Sequence, residues 1–393
     1  MADAPPITAR TDWALILLLW LAGLGAAAQY GKVSVIFDRL GAVYPDAGAW
    51  LGFTVSLVGF VGILLGVAAG LLVARIRYRR ALLWAMWVGA AISLYQATLP
   101  PLSLFLASRV IEGLSHLAIV VAAPTLIATL ADEGARPVAL TLWGTFFGVA
   151  FTALVWAGLP LADGYGLPAL FIAHAAWMAG FALILARALP RVEAEAGDDD
   201  ISPRAILRRH GEIYRSPFIS APGAAWLFYT LTYVSVLTLM PAYIAPEARA
   251  LVIGAMPLVS IFSSMILGVW MLKRMPAVRV MQIGFALGAG LALALIAAPG
   301  NPTLCIAFAA ALGLVQGAGF AAVPQLNESA AHRAQANGAL AQTGNIGNTA
   351  GTPLLLAVIG VAGHTGFMIA CAAILLAGIV VQGSLARRRA AFA

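Results

Sequence analysis

The stretch PRVEAEAGDDDISPRAILRRHGEIYRSP, residues 190–217, decides the fold. It opens with Glu193, Glu195, Asp198, Asp199 and Asp200 and runs into a basic segment around Ser202, Pro203 and Arg204. Outward from it in either direction, the chain is a series of long apolar blocks parted by short polar punctuation, six before it and six after. A hydrocarbon layer needs roughly 20 apolar residues per helical crossing. Lipid also excludes unpaired backbone, so a crossing segment is a helix or part of a closed barrel, and blocks of this length are helices. The predicted spans are 13–37, 49–74, 81–99, 102–131, 137–161, 167–189, 218–244, 249–272, 277–298, 301–326, 334–362 and 364–386. The expectation is an all-α membrane protein with twelve transmembrane helices in two six-helix halves, residues 1–189 and 218–393. A cytoplasmic linker, 190–217, joins them and carries a short surface helix from Pro203 to His210.

Composition points the same way. Of 393 residues, 62% are hydrophobic and 10% charged, and the mean hydropathy is +0.93, outside the range of a soluble domain. The net charge of +7 has a topological origin. With the N-terminus inside, nineteen of the 23 basic residues fall in inner segments, including Arg75, Arg77, Arg79 and Arg80 after span two and Arg387, Arg388 and Arg389 at the end. That bias places both termini in the cytoplasm of a bacterial-type inner membrane and leaves no nucleic-acid footprint to explain. The apolar start with Ala26, Ala27 and Ala28 imitates a secretory signal, but the eleven spans that follow make it the first anchor. Cys305 and Cys371 lie in separate spans without metal-ligand spacing. The halves look like diverged copies: Glu112-Gly113 and Pro124 in span four answer to Gln316-Gly317 and Pro324 in span ten. Such symmetry is expected of carriers whose halves rock about a midplane site.

Ionisable and polar groups inside spans carry the functional signal, because a charge in hydrocarbon costs roughly 2.5–3.5 kcal/mol on insertion scales and must face a partner or a cavity. Span one holds Gln29, Tyr30 and Lys32; span four holds Arg109, Glu112 and His116 at i, i+3 and i+7, on one face. Running antiparallel, the two helices bring Lys32 and Arg109 to similar depth, with Glu112 placed to neutralise one of them. Two readings stand. In one, Arg109 and Glu112 form a structural pair and Lys32 snorkels outward. In the other they rim a positive cavity that draws an electron-rich or anionic group, with Glu112 or His116 taking a proton. Span eleven carries Gln342, Asn345 and Thr349 as a stripe, with Asn348 beside it, suited to helix–helix hydrogen bonding or to ligand contact. Tyr229 and Tyr233 share a face of span seven, and Trp143 and Phe147 a face of span five. Rings opposite amides suit a flat hydrogen-bonding solute. The expected substrate-binding set is Gln29, Tyr30, Lys32, Arg109, His116, Trp143, Tyr229, Tyr233, Gln316, Gln342 and Asn345, with Glu112 and His116 as proton-coupling groups.

The loop after span two, Gly70-Leu71-Leu72-Val73-Ala74-Arg75-Ile76-Arg77-Tyr78-Arg79-Arg80, resembles the cytoplasmic loop signature of the major facilitator superfamily, with Ala74 in the usual acidic position and Arg77 in that of the second glycine. Arg109-Val110-Ile111-Glu112-Gly113 is similar to the Arg-x-x-x-Gly pattern of that superfamily's fourth span. The runs Ala28-Gln29-Tyr30-Gly31-Lys32, Glu112 to Leu117, Trp143 to Gly148 and Asn337 to Pro353 resemble its CcoA-like branch, which includes copper importers and RfnT-type riboflavin permeases. The copper members pair Met-x-x-x-Met with His-x-x-x-Met, where this chain has Tyr233 with Leu237 and Ile261 with Met265. One soft ligand of four does not make a Cu(I) site. The resemblance therefore implies a secondary active transporter working by alternating access, with riboflavin or a related heteroaromatic as cargo. The alternatives are a copper importer, a carrier of a small organic anion or drug, and a non-transporting assembly factor. No catalytic triad, metal cluster or nucleotide loop is present, so an enzyme is not expected, nor any cofactor. The expected partners are the small-molecule cargo and membrane lipid, with the chain a monomer.

Overall fold

The computed structural model describes residues 11–66, 68–190 and 202–391, and every regular element among them is helical. Span one, Trp13–Val35, starts where the Asp12 carboxylate accepts from the Leu15 amide at 3.0 Å, an N-cap that satisfies one of the helix's free donors. Span two is not one helix. It runs as Trp50–Ser56, a tight turn at Leu57–Gly59, then Phe60–Leu65 and Ala69–Ile76. Gly59, Gly62 and Gly66 fall in this interrupted part, and glycine weakens a helix by about 1 kcal/mol relative to alanine.

Span three is Tyr78–Ala97, span four Leu102–Leu130 and span six Leu167–Ala188. Span five, Val138–Tyr165, and span eight, Pro246–Leu272, each contain a widened π-helical turn, at Leu154–Gly158 and Ser263–Gly268. Span seven is Ser220–Leu239, span nine Ala277–Ala297 and span ten Pro302–Leu326. The last helical stretch, Ala330–Ala390, is 61 residues long, about 90 Å if straight, three times a hydrocarbon layer. It breaks at Gly363, whose φ of 58° is a conformation glycine alone adopts freely. Both of its ends meet the start of span seven: Gly223 backs onto Ala339, and Gln382 donates to the Ala221 carbonyl at 2.7 Å. The chain therefore folds back on itself as spans eleven and twelve.

Among the described residues nine helices are long and apolar enough to cross a bilayer. The doubled final helix, the broken second span and the more polar third span bring the architecture into line with twelve passes in two halves.

The linker helix extends over Pro203–Arg215, five residues beyond the expected end at His210. Ile213, 1% exposed, packs with Val323, Ala339 and Leu340 of spans ten and eleven, and that burial carries the helix past Gly211. The acidic run at 193–200 lies outside the described residues.

Candidate functional site

Spans one, three, four and six converge on a buried charged cluster. Lys32 Nζ donates to Glu112 Oε1 at 2.6 Å and to Ser93 Oγ at 2.5 Å, and lies 3.3 Å from His174 Nδ1. Glu112 Oε2 accepts from Arg109 Nη1 and, at 2.9 Å, from Gln96 Nε2. Arg109 spends its other donors on backbone carbonyls, Nε on Thr54 and Nη2 on Gln29, both at 2.6 Å, with Val55 at 3.3 Å. Lys32, Arg109 and Glu112 are all fully buried. Lys32 thus turns inward and does not snorkel, because Glu112 and Ser93 accept two of its hydrogens and His174 Nδ1 shares its lone pair between the third and the Ser93 hydroxyl. Glu112 answers both cations, not one of them.

The tautomer of His174 follows from its partners. Its Nε2 lies 2.9 Å from the Gly25 carbonyl, which can only accept, so Nε2 carries the hydrogen and Nδ1 is the acceptor for Lys32 and for the Ser93 hydroxyl at 2.6 Å. The same logic applies to His116, whose Nδ1 donates to the Ala26 carbonyl at 3.0 Å and leaves Nε2 as an acceptor.

In front of this cluster lies a cavity of about 1450 Å³ between the halves. His116, Trp143, Phe146 and Phe147 line one wall; Trp226, Tyr229, Tyr233 and Gln316 line the other, with Asn345 and Asn348 of span eleven. The rings come in parallel pairs. Trp143 and Phe146 stack at 4.5 Å and 17°, Tyr229 and Tyr233 at 5.1 Å and 22°. The Tyr229 hydroxyl and the Ser260 hydroxyl both reach Gln316 Oε1, at 3.4 Å. Among the described lining residues none is Asp or Glu, whereas Arg75 and Arg209 stand at the mouth.

The mouth opens at the end of the bundle that carries the linker helix. Leu140, Leu272 and Asn337 lie on its rim together with Arg209 and Ile213 of that helix. The opposite end is closed by contacts between halves: Thr152 donates to the Gly254 carbonyl at 2.8 Å, Trp156 Nε1 to Ala250 at 3.0 Å, and Ser34 pairs with Thr238 at 2.7 Å.

The residues read from sequence thus divide into three groups. His116, Trp143, Tyr229, Tyr233, Gln316 and Asn345 face the cavity. Gln29, Tyr30, Lys32 and Arg109 stand behind its wall, all at 0% exposure. Gln342 ties span eleven to span two and the linker helix, donating to Ile63 at 2.7 Å and to His210 Nε2 at 2.9 Å while accepting from the Tyr214 hydroxyl at 2.7 Å. Burial pushes the Tyr214 phenol up to about 12, so it stays a donor at any physiological pH. Sequence reasoning missed His174, Ser93 and Gln96. The last two are three apart on span three, a spacing that marks one polar face.

A family model described as Major Facilitator Superfamily matches residues 15–352. The structure is similar to that of a bacterial homologue of the human lysosomal transporter Spinster, solved inward-facing and unoccupied, with a TM-score of 0.73 and 13% identity over 98% of both chains. It is equally similar to the nucleoside transporter NupG, solved as a point mutant, with a TM-score of 0.73 and 15% identity over 94% of this chain and 99% of that one. At such identities the likeness is one of fold. Among curated proteins no sequence match is found. The family model spans most of the chain, from span one into span eleven, and the protein belongs to the Major Facilitator Superfamily.

Proposed function

We propose that this secondary transporter imports riboflavin or a closely related polar heteroaromatic across a bacterial inner membrane, driven by a proton gradient. One observation carries the reading: stacked ring pairs from both halves face amide side chains across a cavity whose described lining holds no carboxylate. A planar ring system slides between such pairs, each ring contact adding about 0.5–1.5 kcal/mol beyond burial. Gln316, Asn345 and the Nε2 lone pair of His116 answer the donors and acceptors along the edge of the solute. The volume exceeds the 300–1,000 Å³ of a closed ligand pocket, in keeping with a hydrated vestibule that tightens once the cargo is seated.

At the positions that pair soft ligands in copper importers, Tyr233, Ile261 and Met265 line the cavity, so thioether and imidazole donors are too few to hold Cu(I). With the linker end in the cytoplasm, as the basic residues direct, the described state faces inward.

Growth of a riboflavin auxotroph at limiting external riboflavin tests the reading. Expression of the chain should restore growth, and Tyr229→Ala combined with Trp143→Ala should abolish the rescue at equal membrane abundance. Absence of rescue by the wild-type chain, once present in the membrane, would overturn the cargo assignment.

A further inference from the structure

We infer that the proton moved by this carrier rides on Lys32, with Glu112 its fixed counter-ion and His174 the residue that positions it. The inference rests on the proton-driven reading above and concerns the cluster behind the cavity, not the cargo.

Lys32, Arg109 and Glu112 are fully buried, so their charges must balance one another. Arg109 is permanently protonated and is held by Glu112 and by backbone carbonyls of spans one and two. Arg109 and Glu112 therefore neutralise one another whatever the pH. Glu112 accepts from three donors, Lys32, Arg109 and Gln96, and a proton placed on it would set an O–H against N–H groups. Lys32 is the surplus charge. It is the one member that can lose its proton and leave the cluster electrically neutral, and an uncompensated buried charge is what a low-dielectric interior tolerates least.

The groups that face it account for every neighbouring element. Span four supplies Glu112 and Arg109; span three supplies the Ser93 hydroxyl; span six supplies His174 and the Phe171 ring, whose centroid is 5.4 Å from Nζ. His174 is locked by Gly25 into the tautomer that accepts at Nδ1, so it turns a lone pair, shared with the Ser93 hydroxyl, towards the ammonium that Glu112 and Ser93 already hold. The described inward-open state is accordingly the protonated one. The proton enters and leaves through water when the cluster is hydrated in the course of the swing, Lys32 passing between –NH3⁺ and –NH2.

The sign follows. Lowering the pH fills the inward-open state, and raising it empties that state. Spin labels at positions 140 and 272, across the mouth, report its population on the purified full chain without cargo. Wild type should close progressively as pH rises. Lys32→Arg, charged at every pH, should stay open throughout; Lys32→Gln should lose the pH dependence with the open state depleted. His174→Leu, which removes an acceptor, should move the transition to lower pH, and His174→Gln, which keeps one, should restore it. A wild-type opening independent of pH, or a Lys32→Gln profile like wild type, overturns the inference. In proteoliposomes one proton per cargo predicts about tenfold accumulation per pH unit of gradient, lost in both Lys32 variants. Failure of riboflavin uptake by the wild type would fall on the cargo reading and leave the opening profile intact as evidence.

Discussion

Glu112 and Lys32 weigh unequally in the stability of the same cluster. Removing the carboxylate by Glu112→Gln leaves two buried cations without an anion, and breaking a buried pair in this way costs about 3–5 kcal/mol. Removing the amine by Lys32→Met leaves the Arg109–Glu112 pair neutral. The melting temperature of the purified protein should therefore fall steeply for Glu112→Gln and little for Lys32→Met, and the double variant should recover part of the loss. A double variant no more stable than Glu112→Gln alone would show that the carboxylate acts by packing and not by charge. Ring contacts are weaker. Tyr229→Ala should reduce cargo affinity roughly tenfold, read by fluorescence quenching, in line with one lost stacking partner. At this scale the sequence was informative where polar residues repeat on one helix. Arg109, Glu112 and His116 announce a face by their spacing. His174 does not, because each of its partners, Gly25, Lys32 and Ser93, comes from another span.

The stripe of Gln342, Asn345 and Thr349 illustrates how an element can be legible while its partner is not. Its spacing defines a face, and the structure lays that face on the glycines of span two. A Cβ on Gly62 would strike the Asn345 side chain, one on Gly59 would strike Thr349 Oγ1 and come within 2.7 Å of the Tyr30 hydroxyl, and one on Gly66 would lie 3.0 Å from the Gln342 backbone. The match of glycine to polar residue, turn by turn, lets two backbones approach closely. Gly62→Ala should accordingly separate spans two and eleven and slow transport several-fold with insertion unchanged, as measured by initial uptake rate per membrane copy. Gly363 presents the other use of glycine. Gly363→Ala places a side chain at φ 58°, at about 1–2 kcal/mol, and should lower the melting temperature without altering cargo affinity. The limits of spans two and three read from sequence, 49–74 and 81–99, lie within a few residues of the observed ones; what sequence did not show is the break inside span two, where glycine interrupts the helix.

For the molecule as a whole, closure at one end and opening at the other are the same arrangement seen from two sides. Trp156 lies against Gly254 where spans five and eight meet, with a ring carbon 2.6 Å from where a Cβ would be. Gly254→Val should wedge that end apart and deplete the described state, so that cysteines placed on the rim lose reactivity toward a reagent added from the linker side. Unchanged labelling would remove these contacts from the closing machinery. The division into halves was legible because lipid imposes a length on every crossing; the shape of the cavity was not, since it exists only between faces that different spans of the two halves bring together. The linker helix has a last consequence. Ile213 and Tyr214 bind it to spans ten and eleven, so it belongs to the second half and does not act as a tether strung between the two. A gene cut so that translation stops after residue 190 and restarts before residue 202 should therefore yield two polypeptides that assemble unaided into a working carrier, each inserting by its own basic residues.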